Sequence, residues 1–164
     1  MGELIRERVC AEVDGGVVVF LIGMRINRLW KVWKWLPVAL SMPKMLRELA
    51  ANPELGLLAA RSHFGLRNAM LVQYWKSSSH LRDYALSTSR AHLPAWRAFN
   101  KNVGTNGDVG IWHETYVLPG GQMESVYVNM PRYGLGLAGE IFPATGARAT
   151  AAKRMSNKPA TSVE

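Results

Sequence analysis

The 164-residue sequence has a single cysteine, Cys10, so no disulfide can form within the chain. It also lacks a long apolar run, because the longest, residues 17–24, is interrupted by Gly23 and followed by Arg25. A membrane-spanning helix needs about 20 apolar residues. The charged N-terminal residues have no apolar core of the kind that a secretory signal requires. We therefore expect a cytoplasmic protein with no integral membrane segment.

The common motifs of enzymatic chemistry are missing as well. There is no Cys/His set with zinc spacing, no Gly-x-Ser-x-Gly and no phosphate-binding glycine loop. Gly134, Gly136 and Gly139 imitate a dinucleotide motif, but no parallel βαβ unit precedes them. The net charge of +8 is concentrated in residues 25–47 and in the C-terminal tail, without a nucleic-acid-binding motif. We expect a solvated basic face and no nucleic-acid partner.

Hydrophobic periodicity predicts a β-α-β-β-α-β order followed by a further strand. The predicted elements are a strand at 17–24, a helix at 28–51 interrupted at Pro37 and Pro43, strands at 56–64 and 68–75, helical pieces at 80–86 and 89–103, and strands at 109–118 and 123–128. This order predicts an α+β fold, the ferredoxin-like split βαβ with an antiparallel sheet. The Trp/Lys helix at 28–51 could lie on a membrane surface, but packing on the sheet is favoured.

Three regions follow from this pattern. Residues 1–14 are predicted to be a loosely ordered N-terminal arm, 15–144 the ferredoxin-like domain, and 145–164 a basic, disordered tail. Residues 147–164 of this tail are predicted to be dispensable for folding. The strands carry apolar residues on both faces, whereas helices cover only one face of such a sheet. A second copy would cover the other face, so we predict a homodimer of the dimeric α/β-barrel type.

The histidines are the candidates for chemistry. His92 begins a helix, where the helix dipole disfavours protonation and keeps the imidazole able to bind a metal. His113 is a polar residue on a largely apolar strand face, a pattern that also suits a hydrogen-bonded core histidine. His63 lies in mid-strand with Arg61 on the same face, and could point into a pocket or to a dimer contact. His80 is predicted to be exposed.

Two stretches of sequence resemble the C-terminal half of haem-dependent aldoxime dehydratases. The first contains Tyr74-Trp75-Lys76-Ser77, His80-Leu81 and the segment 89–99, and the second contains Ile111-Trp112-His113-Glu114, the segment 118–122 and Tyr127-Val128-Asn129. The whole chain is also similar to the fumagillin-pathway-type monooxygenases within the antibiotic-biosynthesis-monooxygenase-like group. Both resemblances imply the dimeric α/β-barrel fold.

The aldoxime dehydratase resemblance implies haem b as cofactor and a small organic substrate. It places the proximal iron ligand at His92, with Trp96 and Phe99 beside the cofactor, and the distal catalytic histidine at His113. The distal Arg and Ser of that family are assigned to Arg61 and Ser62. The expected reaction is loss of water across C=N–OH at the haem iron, with His113 as general acid.

Two alternatives remain open on the sequence. The monooxygenase resemblance implies a biosynthetic enzyme that uses haem or no cofactor, in which His113 is a base that forms an oxygen-reactive substrate anion. A haem- or ligand-binding protein without turnover is the other alternative.

Overall fold

The computed structural model describes residues 2–156. Its main body is a four-stranded antiparallel sheet with strand order β3-β4-β2-β5. The strands are β2 (Val17–Ile26), β3 (Leu57–Phe64), β4 (Asn68–Trp75) and β5 (Val109–Leu118). The helices α1 (Val32–Ala51), α2 (Ser78–Leu86) and α3 (His92–Asn102) pack on one side of it. This is the ferredoxin-like α+β fold that the sequence predicts, with an open sheet rather than a closed barrel in the single chain.

Side chains alternate between the two faces of the sheet. On β2, Val18 and Phe20 pack against Met45 and Leu49 of α1 on what we call the helix face. Val17 and its neighbours on the opposite side form what we call the second face. The registers of β2 with β4 and of β2 with β5 are continuous, and that of β3 with β4 is continuous from Ala59 onward, after a bulge. Each residue of β4 and β5, and of β3 from Ala59, can therefore be assigned to one face from its partner on the neighbouring strand.

The chain covers part of the second face with its own termini. A small sheet pairs β1 (Val9–Glu12) with β6 (Glu140–Pro143), and α4 (Leu135–Ala138) packs beside it. Ala11, Val17 and Leu135 form a buried cluster there. The prediction of a loosely ordered arm at residues 1–14 is wrong for β1, because Cys10 and its neighbours are apolar and pair with a distant strand that local periodicity does not reveal.

The C-terminal region also differs from the prediction. Residues 123–128 form no named strand, and Tyr127 makes only a single bridge to Val9. The further strand is β6 instead. A short helix, α5 (Ala151–Ser156), lies within the predicted disordered tail, and Arg148 and Arg154 bind Glu12 and Glu124. Ion pairs thus connect the tail, up to residue 156, to the rest of the domain. Residues 157–164 of the predicted tail lie outside the described residues.

Helix α1 is continuous across Pro37 and Pro43, where the sequence predicts an interruption. Its start is held by Asp108, whose carboxylate accepts hydrogen bonds from Arg28 at 2.9 Å and from Lys31 at 3.0 Å. The Asp108 side chain is buried. The hydrogen bond from Lys31 is the main cause that lowers the pKa of Asp108 below its usual value, although burial opposes it.

Asp108 is therefore expected to stabilise the fold in a pH-dependent way. Because its pKa is lower in the folded state, the unfolded chain binds more protons, and this stabilisation is lost as pH falls through the folded-state pKa. We expect Asp108→Asn to lower Tm at neutral pH by roughly 5–10 °C and to flatten the acid side of the Tm-against-pH curve. The exposed Asp83→Asn is the matched control. If Asp108→Asn left the acid side of the Tm-against-pH curve unchanged, Asp108 would not be the source of this pH-dependent stability.

Candidate active site

His113 stands on the helix face of β5, opposite Ile22 of β2. Its ring centroid lies 5.6 Å from that of Phe20, with the two planes tilted by 39°. Because β5 is an outer strand, the helices do not close over it, and the residues from Trp112 to Val117 are all exposed. His113 therefore combines contact with an aromatic core residue and access from solvent. The alternative of a buried core histidine is not what the structure shows.

His92 is the first residue of α3, on the same side of the sheet. Its Nδ1 lies 2.9 Å from the carbonyl oxygen of Ala85, and its ring is 6.2 Å from that of Tyr84. A carbonyl can only accept, so Nδ1 carries the proton in this hydrogen bond. In the neutral form of the ring, Nε2 is the acceptor. His92 can accept a hydrogen bond from the hydroxyl group of a ligand.

Glu48 of α1 holds the segment that leads into His92. One carboxylate oxygen accepts hydrogen bonds from the Tyr84 hydroxyl at 2.9 Å and from the Ala91 backbone N–H at 3.0 Å. Arg90 lies 4.0 Å from the other oxygen. Burial raises the pKa of the Tyr84 phenol, and the hydrogen bond to Glu48 raises it further, so Tyr84 remains a neutral donor. The Glu48 carboxylate of α1 thus connects α2 to the residues that lead into α3, next to His92.

The aromatic residues of α3 extend this site along the helix. Trp96 is one turn after His92, and its ring stacks on Phe99 at 5.9 Å with an angle of 17°. Phe99 packs against a buried cluster that includes Met24 and Val103. Trp96 is 47% exposed, so part of its indole ring is accessible from solvent.

Gln73 is a buried polar residue of the helix face that the sequence reasoning missed. It lies on the helix face of β4, beside Phe20 in the register, and is only 5% exposed. Its Oε1 accepts a hydrogen bond of 2.8 Å from the indole N–H of Trp75. The signal in the sequence was a lone polar residue between Leu71 and Trp75, which point to the same face. A buried, hydrogen-bonded amide therefore lies next to Phe20 on this face.

Arg61 and Ser62 do not meet His113 within one chain. Ser62 shares the helix face and the same cross-strand row, but β4 and β2 lie between its strand and β5. Three strand spacings amount to about 14 Å. Arg61 points to the second face, where its guanidinium lies 4.1 Å from the Tyr133 ring and His63 Nε2 lies 3.5 Å from the Tyr133 hydroxyl.

The second face also has an open groove of about 320 Å³. Burial raises the pKa of Tyr74 in its wall, and the phenols of Tyr127 and Tyr133 act in the same direction. The groove is lined mostly by apolar side chains: Val19, Tyr74, Leu118, Gln122, Met123, Glu124 and Leu135. Of the sequence-predicted residues, His92, Trp96, Phe99 and His113 share the helix side of the molecule, and none of them lines this groove. No group of three His, Cys, Asp or Glu side chains within residues 2–156 could hold a metal ion.

The sequence matches the model of the Monooxygenase af470-like family over residues 17–135, and the chain belongs to that family. It is 29% identical over 158 residues to Monooxygenase af470 of Aspergillus fumigatus. This match covers 79% of the present chain but only 53% of the relative, so the chain spans about half the length of the relative. The matched region contains the whole four-stranded sheet and its three helices.

Solved structures with a similar arrangement were also found. SnoaB of Streptomyces nogalater, described as a cofactor-independent oxygenase, is 10% identical with a TM-score of 0.45, covering 62% of this chain and 91% of SnoaB. A dimeric protein of unknown function and ferredoxin-like fold from Bacteroides fragilis is 14% identical with a TM-score of 0.46, covering 62% of this chain and 96% of that protein.

These findings correct the assignment of the cofactor. The monooxygenase resemblance is confirmed by the family match, whereas the aldoxime dehydratase resemblance gains no support. The prediction of haem b, with His92 as its iron ligand, is contradicted, because it rested on the aldoxime dehydratase resemblance and the family found is a monooxygenase family. His92 is accordingly treated below as a polar residue of the site and not as a metal ligand.

The structure has no helix long and apolar enough to cross a membrane within the described residues.

Proposed function

We propose that this protein is a monooxygenase that needs no haem and oxidises a flat organic substrate with molecular oxygen, His113 acting as the base. The observation that carries the proposal is the position of His113 in the monooxygenase family region: beside Phe20 on the helix face, yet open to solvent. A base must reach the proton that it removes, and a flat substrate needs an aromatic surface against which to lie.

The substrate supplies the electrons in this reaction. His113 removes a proton from an acidic CH₂ group next to an aromatic or carbonyl system, and the substrate becomes a delocalised anion. The anion transfers one electron to O₂, and the resulting radical pair combines to a substrate peroxide, which His113 reprotonates. Loss of water from the hydroperoxide converts the carbon to a ketone. The overall change is CH₂ plus O₂ giving C=O plus H₂O.

The surrounding residues fit these steps. Phe20 and Trp96 present aromatic surfaces on the same side of the sheet. The Nε2 of His92 can accept a hydrogen bond from a substrate hydroxyl. Polar groups around an apolar surface orient a ligand without repelling it.

Oxygen consumption tests the proposal directly. The probe is anthrone, a flat aromatic ketone with an acidic CH₂ group, incubated under ¹⁸O₂ with protein that has been freed of haem and treated with chelator. We expect one O₂ consumed per quinone formed, and one ¹⁸O atom in the new carbonyl group. Turnover that required added haem would contradict the proposal. Binding of the probe without oxygen consumption would favour a ligand-binding protein instead.

We also propose that the protein is a homodimer joined through the uncovered part of the second face. Trp112 lies flat over Gly23 on this face, where a Cβ would come within 2.5 Å of the indole nitrogen. Trp112 is 39% exposed and Tyr116 is 48% exposed. An exposed, flat aromatic surface on a sheet is typical of a protein interface.

Sedimentation velocity at micromolar concentration is expected to show a dimer, with an interface of at least about 1,200 Å². Val72→Glu, on the second face of β4, should shift the protein to monomer because it places a charge in the apolar contact. Leu86→Glu, at an exposed position of α2, is the matched control and should remain dimeric. A monomeric wild type would contradict the dimer.

A further inference from the structure

The outer surface of α1 is strongly apolar although no described element covers it. Trp33 and the preceding Trp30 are each 67% exposed, and Leu40 is 61% exposed. Val32 and Leu36 add exposed apolar area in the same two turns. Contiguous apolar patches of this kind are rare on a surface that remains in water. We call this group the α1 patch: Trp30, Val32, Trp33, Leu36 and Leu40.

A second element adds apolar side chains at the start of α1. Phe64 and Leu66, at the turn between β3 and β4, are 82% and 89% exposed. This turn is joined to the end of β2 by two hydrogen bonds, from Ile26 N–H to the Arg67 carbonyl at 2.7 Å and from the Arg67 guanidinium to the Asn27 carbonyl at 3.1 Å. Two segments that are distant in the sequence thus expose apolar residues at the same end of the sheet.

Basic residues predominate around the α1 patch. Residues 15–47 contain six basic residues and no acidic one: Arg25, Arg28, Lys31, Lys34, Lys44 and Arg47. Asp108 is the acidic partner at the start of α1, and it is buried beneath Arg28 and Lys31. Lys44 and Arg47 lie on the exposed side of α1, one and two turns beyond Leu40. An apolar stripe flanked by cations is complementary to a negatively charged lipid surface.

We propose that the α1 patch binds the surface of a membrane that contains anionic lipids. Trp30 and Trp33 enter the headgroup region, where indole rings are favoured, and the flanking Lys and Arg side chains contact lipid phosphates. Helix α1 then lies parallel to the membrane plane and does not cross it. The surface is separate from the second face, so a dimer joined through that face leaves the α1 patch free to bind lipid.

Vesicle flotation tests this surface. The purified full chain is mixed with vesicles of phosphatidylcholine alone, or of phosphatidylcholine with phosphatidylglycerol. We expect binding to the mixed vesicles, weak binding to the neutral ones, and loss of binding as salt is raised, because screening shortens the reach of the charges. Equal binding to both kinds of vesicle, or binding to neither, would overturn the proposal.

Two sets of variants separate the apolar and the charged contributions. The double variant Trp30→Ala, Trp33→Ala should weaken binding to the mixed vesicles at least tenfold. Lys44→Gln with Arg47→Gln should weaken it by about 25-fold, at roughly fivefold per basic residue. Leu86→Ser, on the exposed end of α2, is the matched control and should bind as the wild type.

Folding and self-association are measured on the same variants. All these side chains are exposed, so their melting temperatures should stay close to that of the wild type. Wild-type binding by the double Trp variant would overturn the proposal. A smaller oligomer of that variant, in the absence of vesicles, would instead show that the α1 patch is a contact between copies of this chain.

Discussion

His113→Ala is expected to lower the rate of anthrone oxidation by roughly 10²–10⁴-fold, the loss typical of a missing general base. The side chain is exposed, and its described contact is the ring of Phe20. Its removal should therefore leave Tm nearly unchanged. The rate and Tm together distinguish a catalytic role from a structural one. If His113 stabilised the fold, its removal would lower both Tm and the rate.

A matched histidine provides the control for this variant. His63 lies on the second face, where it contacts Tyr133, and takes no part in the proposed reaction. His63→Ala should keep most of the activity per dimer. His113→Asn tests the chemistry further, since it retains hydrogen bonding but cannot take up a proton at neutral pH. Wild-type rates in both His113 variants would show that another group is the base.

Trp75→Ala is expected to cause the largest loss of stability, about 3–5 kcal/mol. Trp75 is 1% exposed and lies in the buried cluster with Val18, Met45 and Leu49, next to the ring of Tyr84 at 5.9 Å. Its indole N–H is also the hydrogen-bond donor to Gln73. Such a loss is a large part of the roughly 5–15 kcal/mol by which a domain is stable.

Urea denaturation measures this effect, with two comparison variants. Trp96→Ala removes the same side chain at a half-exposed position, so its effect should be much smaller. Trp75→Phe keeps most of the apolar volume and loses the hydrogen bond, and should fall between the two, at about 1–3 kcal/mol. If Trp75→Ala lost no more stability than Trp96→Ala, the position of Trp75 in the core would be wrong.

The local pattern of the sequence predicted the body of the fold. Continuous apolar runs and turn residues located β2, β3, β4 and β5, because strand periodicity is a local property. The pattern failed for β1 and β6, since two four-residue strands have too few residues to show a period and depend on each other for pairing. It also placed an interruption in α1 at Pro37 and Pro43, where packing against the sheet keeps the helix continuous.

The candidate site was predicted in part. His92, Trp96 and Phe99 could be placed on one helix and His113 on one strand from the motif resemblance, and the structure puts all four on the helix side. Arg61 and Ser62 were assigned without spatial information, and a neighbouring pair on a strand must point to opposite faces. Gln73 was missed because burial of an amide is decided by what packs over it.

The sequence by itself determined the order of the central elements, the basic and aromatic character of α1, and the family to which residues 17–135 belong. Only the tertiary structure decided which residues share a face. Strand register places His113 beside Phe20 and keeps Ser62 three strand spacings away. The same structure packs one side of α1 on the sheet and leaves Trp30 and Trp33 in solvent. The physical reason is that periodicity acts along a few residues, whereas burial depends on contacts between segments far apart in the chain.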